Sequence, residues 1–240
     1  MNKEIFKNKI VEIENNICEV EGLPKGEYDA QAVKYDKLVS NSLYNLMMWG
    51  NSPQNYTDFC KQGLQNSTGG VVADIGCGTL SFTHREYAEY KGNDLFLCDL
   101  SYEMLKIGEN RIQGINSDTS KIKFLRSNAL DMPFNDNTVD TVLNFGLFHI
   151  FDDPSSLLRE IVRILKPNGK IFLTSLCSDR KISAKYLSFL HKKGHVSKPL
   201  KSIEIKRIIE ENGIELIDFR TKGGMTYVTG SKIPTLNKNV

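Results

Sequence analysis

Asp74, Gly76 and Gly78, with Asp99 further along, are the residues of this 240-residue chain whose types and spacing point most directly to chemistry. Gly76 and Gly78 lack Cβ atoms, so the chain can turn sharply there and let a ligand approach its backbone. Asp74 stands just before them, where an acid suits a ligand that carries a cationic amine. Asp99 follows about 20 residues beyond the glycines, the distance that places a carboxylate on ribose hydroxyls. A carboxylate accepts two hydrogen bonds from a diol, so the residue type fits. His149 is the remaining candidate, a general base by its ordinary titration range if an acceptor must lose a proton.

These residues need strands that end at one edge. Val71-Val72-Ala73-Asp74-Ile75 is an apolar run bounded by glycines, as a central parallel strand should be. Thr79 is predicted to open a helix to about Tyr90, its free N–H groups favouring a negatively charged ligand group. Asp94–Asp99 is a second strand ending in an acid, with Ser101 capping the next helix. Ile122–Arg126, Val139–Asn144 and Ile171–Ser175 read as further strands, with a helix from Asp153 to Leu165 and a turn at Lys166–Lys170. Residues 214–219 and 225–229 form a hairpin around Gly223-Gly224. Ile5, Ile10, Ile13, Ile17 and Val20 fit a helical stripe, and further helices are predicted over about 29–49 and 53–64.

The Asp74-Ile75-Gly76-Cys77-Gly78 run resembles the first motif of the class I S-adenosylmethionine (SAM)-dependent methyltransferases. Leu165-Lys166-Pro167-Asn168-Gly169 is a second likeness, and the resemblance extends over roughly residues 28 to 231. It is closest to the small-molecule methyltransferases of the type 11 group. It implies a doubly wound, Rossmann-like, seven-stranded, mainly parallel α/β sheet with a terminal antiparallel hairpin and an N-terminal helical lid. Residues 1–66 would be the lid and 67–240 the SAM-binding core, with a basic insertion at about 176–201. The cofactor would be SAM, leaving as S-adenosylhomocysteine. Asp74, Gly76, Cys77 and Gly78 would face its methionine part, joined by Phe145. Asp99 would take the ribose and Leu100 would pack on the adenine. Asn128 and Ala129 would read the adenine edge, although the family usually has an acid at the position of Asn128. Tyr28, Tyr35 and Trp49 would face the acceptor from the lid. A third glycine is common in the family where this chain has Leu80. A dinucleotide oxidoreductase would want glycine or alanine near Ser81, which counts against that class.

Composition sets outer bounds. A hydrophobic content of 40%, a charged content of 25% and a net charge of +2 are those of an ordinary globular protein. Cys18, Cys60, Cys77, Cys98 and Cys177 are scattered without a Cys-x-x-Cys pair, so they are expected to be free thiols in a cytoplasmic protein. No membrane span and no metal site are expected, since the four histidines lack ligand spacing. Residues 180–207 hold nine Lys or Arg against one acid, Glu204. Their excess leaves open an RNA methyltransferase beside the leading small-molecule reading. A SAM-binding protein without transferase activity and, more distantly, a nicotinamide-dependent dehydrogenase are the other readings. Either a monomer or a homodimer is compatible with the sequence.

Overall fold

The computed structural model describes residues 3–14, 16–24, 32–67, 69–116 and 118–234. In chain order the elements are β1 (Ile10–Glu14), β2 (Ile17–Val20), α1 (Ala32–Val39), α2 (Ser42–Tyr44), a π-helical turn (Asn45–Trp49), α3 (Pro53–Gln65), β3 (Val72–Ile75), α4 (His84–Ala88), β4 (Leu95–Asp99), α5 (Tyr102–Gln113), β5 (Ile122–Arg126), β6 (Val139–Phe145), α6 (Pro154–Ile164), β7 (Leu165–Leu176), α7 (Lys181–Lys192), α8 (Ser202–Glu211), β8 (Ile214–Lys222) and β9 (Met225–Lys232). One sheet runs in the order β1-β2-β5-β4-β3-β6-β7-β9-β8. From β5 to β7 its neighbours are parallel, and β9 and β8 close one edge antiparallel.

Strand alternation sends Val72 to one face and Ala73 and Ile75 to the other. Ala73 and Ile75 share a core with Leu157, Leu158 and Ile161 of α6 and Ile205 and Ile209 of α8. Val72 shares the opposite core with Phe59 of α3, Tyr87 of α4 and Leu105 and Ile112 of α5. Helices therefore cover both faces, as a buried parallel sheet requires. Local chemistry sets where they begin. Asp153 accepts from the Ser155 amide at 3.1 Å ahead of Pro154, and Ser101 accepts from the Met104 amide at 3.3 Å. Against α3, a Cβ built on Gly63 would lie 2.7 Å from Leu143 Cδ2, so glycine there lets the helix sit close to β6.

Several expectations are corrected. The sheet has nine strands rather than seven, because Ile10–Val20 form an antiparallel hairpin whose β2 joins β5 in parallel. The helical stripe expected over residues 1–21 is made of β-branched residues, which suit a pleated strand better. The helix expected over 29–49 is broken at Ser40-Asn41, where Asn41 Oδ1 accepts from the Tyr44 amide at 3.0 Å and restarts it. The helix expected from Thr79 begins only at His84. Leu80 stands at φ +57, and its carbonyl accepts from the Thr83 and His84 amides, so residues 79–83 are turns. The Lys166–Lys170 turn lies within β7 as an irregularity, with Asn168 at φ +63. Among the described residues, no helix is long and apolar enough to cross a membrane.

Candidate functional site

The carboxyl ends of β3, β4 and β6 bring Asp74, Gly76, Gly78, Asp99 and Phe145 to one edge. Gly76 and Gly78 lie at φ +71 and +59, where a Cβ is costly. A Cβ on Gly76 would also strike Leu147 Cδ2 at 2.6 Å, whereas one on Gly78 would meet only Met104 Sδ, at 4.0 Å. Open space thus stands above Gly78. The Gly76 and Cys77 amides donate to the Cys98 carbonyl at 2.8 and 3.0 Å, which ties the loop to β4.

Asp99 closes β4. Its Oδ2 accepts from the Gly78 amide at 2.8 Å and its Oδ1 from the Ser101 amide at 2.9 Å. The carboxylate is thus aimed by backbone amides at the end of β4, beside the glycine turn. Asp74 is buried on the α3–α4 face. Tyr87 donates to its Oδ2 at 2.6 Å, and its Oδ1 has no partner. Burial pushes the Asp74 carboxyl up to about 7, the Tyr87 hydrogen bond pulls it down, and the nearby Asp99 charge adds to the rise. A buried carboxylate oxygen without a donor is costly unless a ligand completes it. Asn144, at the end of β6, has a buried Oδ1 in the same condition, while its Nδ2 donates to the Ile75 carbonyl at 2.7 Å. Sequence reasoning passed over Asn144, which reads only as one polar position in a strand.

Other expected residues fare differently. Leu100 is partly buried, and its carbonyl accepts from Arg126 Nε at 3.1 Å. Arg126 also pairs with Glu19 of β2 at 2.8 Å, which anchors the added hairpin to this edge. Asn128 is exposed, and its Oδ1 accepts from the Leu130 amide at 2.9 Å, as in an ordinary Asx turn. Ala129 packs against the core beside it. Trp49 is buried in the core against Tyr186 and Tyr44, with ring centroids 5.3 and 6.3 Å away, so it does not face an acceptor. Tyr28 and the Tyr35 side chain lie outside the described residues.

His149 is corrected in its role. Its Nδ1 accepts from the Leu176 amide at 3.3 Å. Burial pushes its titration down to about 4, so it is neutral at pH 7. With Nδ1 accepting, the proton of the neutral ring resides on Nε2, which is then a donor rather than a general base. It lines a cavity of about 10 Å³ with Ser175, Leu187 and Ser197.

One cluster was invisible in sequence. Asp36 of α1 receives Arg111 of α5 in two parallel bonds of 2.9 and 2.7 Å, and its Oδ1 also accepts from Thr79 and Ser81 at 2.5 and 2.7 Å. Arg111 donates to the Thr79 carbonyl at 2.6 Å as well. Burial raises the Asp36 carboxyl, but the bonds from Arg111, Thr79 and Ser81 outweigh it and hold it below its ordinary value. This clamp fastens α1 directly onto the residues after Gly78. Leu80 is accommodated opposite Gly108 of α5, where a Cβ would lie 2.9 Å from Leu80 Cγ. Arg111→Ala is expected to release α1. Its amides should exchange with deuterium about tenfold to a hundredfold faster, the loss of a charge-assisted pair worth ~1.5–3 kcal/mol, while the β3 and β6 amides stay protected. Equal protection of α1 in both proteins would dismiss the clamp.

Residues 73–173 match the family model described as a methyltransferase domain. A demethylmenaquinone methyltransferase of Bacillus licheniformis is 30% identical over 145 residues, 58% of each chain. The ubiquinone/menaquinone biosynthesis C-methyltransferase UbiE of Idiomarina loihiensis is 30% identical over 154 residues, 61% of this chain and 56% of that one. The chain thus spans about half the length of the curated relatives it matches. Among solved structures, the [4+2]-cyclase SpnF superposes with a TM-score of 0.64 at 16% identity, over 90% of this chain and all of that one. The geranyl diphosphate C-methyltransferase of Streptomyces coelicolor does so with a TM-score of 0.62 at 15% identity, over 75% and 76% of the two chains. Those two likenesses speak for the fold alone. Residues 73–173 thus match a methyltransferase domain, and the chain shares its α/β fold with those solved structures.

Proposed function

We propose that the protein binds SAM at the carboxyl edge of β3 and β4 and transfers its methyl group to a small-molecule acceptor, of the isoprenoid quinone precursor class. The observation that carries the reading is the pair of carboxylates at this edge. Asp99 is oriented by two backbone amides, and Asp74 is buried with one oxygen unpartnered. The residues present fit the cofactor. Asp99 accepts the ribose hydroxyls, Asp74 offers an oxygen to the ammonium, and the open space at Gly78 lets the ligand lie against the backbone. When bound, SAM supplies an electrophilic methyl group on a sulfonium, so the protein's task is orientation and exclusion of water. The Asp36–Arg111 clamp holds the loop that performs this task. His149, as the Nε2–H tautomer, can donate a hydrogen bond to an acceptor oxygen but does not remove its proton.

The names of the curated relatives support the acceptor class, since one is a demethylmenaquinone methyltransferase and the other a ubiquinone/menaquinone biosynthesis C-methyltransferase. The test is calorimetric titration with SAM and S-adenosylhomocysteine, followed by labelled SAM with a demethylated quinone in detergent micelles. Saturable binding of both nucleotides and label in the quinone are expected. Binding without label in the quinone would leave the cofactor and dismiss the acceptor class. No binding of either nucleotide would dismiss the whole reading.

A further inference from the structure

The carboxyl edge of the sheet carries a surface that methyl transfer does not use. The helical stretch 42–49 lies beside α7. Arg180 Nη1 donates to the Met47 and Met48 carbonyls at 3.0 and 3.2 Å, and Ser183 Oγ donates to the latter at 2.8 Å. Tyr186 of α7 packs on Trp49 and stacks on Phe189 at 6.2 Å. On the outside of this pair of elements, Leu43, Leu46, Met47, Ile182 and Phe189 are each more than half exposed. Bulky apolar groups gathered this way mark an interaction surface. The same helix and its end expose Lys181, Lys185, Lys192 and Lys193. Among the described residues none of these four is in an ion pair. Lys193 Nζ stands 5.9 Å from the centre of the Phe189 ring, so charge and apolar surface are interleaved.

We propose that this surface docks onto an anionic lipid bilayer, with Leu43, Leu46, Met47 and Phe189 entering the headgroup boundary and the lysines meeting the phosphates. The chemistry is that of an interfacial helix, with apolar side chains on the lipid side and flexible cations around them. RNA fits less well, because Leu, Ile and Met offer no stacking platform and Phe189 is the single exposed aromatic of the set. A second copy paired about a two-fold axis would set the lysines of one protomer against those of the other. The location has a consequence for the acceptor. Trp49 accepts from the Gly224 amide at 2.7 Å beside the end of β7, which places the docked face at the same carboxyl edge of the sheet as Asp74 and Asp99, with β6 and β7 between. An apolar acceptor would pass from lipid to the site without crossing bulk water. That consequence rests on the methyl-transfer reading; the docking itself does not.

The test is co-sedimentation of the full chain with vesicles of phosphatidylcholine alone and of equal parts phosphatidylcholine and phosphatidylglycerol. SAM titration and circular dichroism of every variant run beside it. The wild type is expected to sediment with the anionic vesicles and to be released by salt. Lys185→Gln with Lys192→Gln should weaken partitioning about fivefold per lysine removed. Leu46→Gln, Met47→Gln and Phe189→Gln together should weaken it about tenfold or more. All of these variants should keep the wild-type SAM affinity, which separates a failure of docking from a failure of the cofactor site. No sedimentation with either vesicle, equal sedimentation of the apolar variant, or tight salt-sensitive binding of RNA without vesicle binding would each overturn the proposal.

Discussion

Asp99→Ala is expected to weaken SAM binding by about a hundredfold to ten-thousandfold, the loss of two hydrogen bonds to a charged acceptor at ~1.5–3 kcal/mol each. The argument rests on what holds the carboxylate. The Gly78 and Ser101 amides grip one oxygen each, so the group is aimed before any ligand arrives and no side-chain entropy is spent on binding. The alanine variant should remain folded, because β4 is buried through Leu95, Phe96, Leu97 and Cys98 and does not depend on its last residue for packing. Asp99→Asn is not a gentle control. Its amide group would point a donor at either the Gly78 or the Ser101 N–H, so the turn would be disturbed in both orientations. Calorimetry with S-adenosylhomocysteine, set beside thermal melts, reads both effects. An alanine variant that binds within threefold of wild type would remove Asp99 from the site.

The strands that carry this site were legible because each is a short apolar run closed by a glycine or an acid. Val72–Ile75 and Leu95–Asp99 could hardly be anything else in a doubly wound chain. The hairpin Ile10–Val20 was not legible, since isoleucines three to four residues apart satisfy a helix as well as a strand. Its place is decided by the exposed edge of β5, a tertiary fact. The short α4 was hidden for a similar reason. Leu80 adopts a left-handed conformation that a leucine rarely takes, and it can do so because Gly108, on another helix, leaves room for its side chain. The types of Asp74 and Asp99 announced their chemistry, but Asp36 and Arg111, 75 residues apart, did not. His149 shows the limit most plainly. A histidine in that position invites the role of base, and only the Leu176 amide on Nδ1 shows which nitrogen carries the proton.

Asp74→Asn is expected to stabilise the ligand-free protein at alkaline pH while weakening its hold on SAM. The Asp74 carboxyl titrates at about 7 in the folded chain because burial disfavours its charge. The ordinary aspartate value of about 3.9 applies when the chain is unfolded. Between those two values the folded state binds more protons than the unfolded one, so the Asp74 contribution to stability falls as pH rises from about 4 to 7 and stays low above that. The full cost approaches roughly 4 kcal/mol as an upper limit, at about 1.4 kcal/mol per pKa unit. Asparagine does not ionise and can still accept from Tyr87, though its NH₂ group inherits the unpartnered position at a cost of ~1–3 kcal/mol. Urea unfolding should therefore show the variant gaining on wild type by ~1–3 kcal/mol between pH 5 and pH 8. SAM binding should move the other way. The ammonium of the ligand needs the ionised carboxylate, so wild-type affinity should rise about tenfold from pH 6 to pH 8, and the variant should bind more weakly with a flat profile. Parallel pH profiles of stability in the two proteins would show that Asp74 is already charged in the fold. Its unpartnered oxygen would then need an explanation other than a waiting ligand.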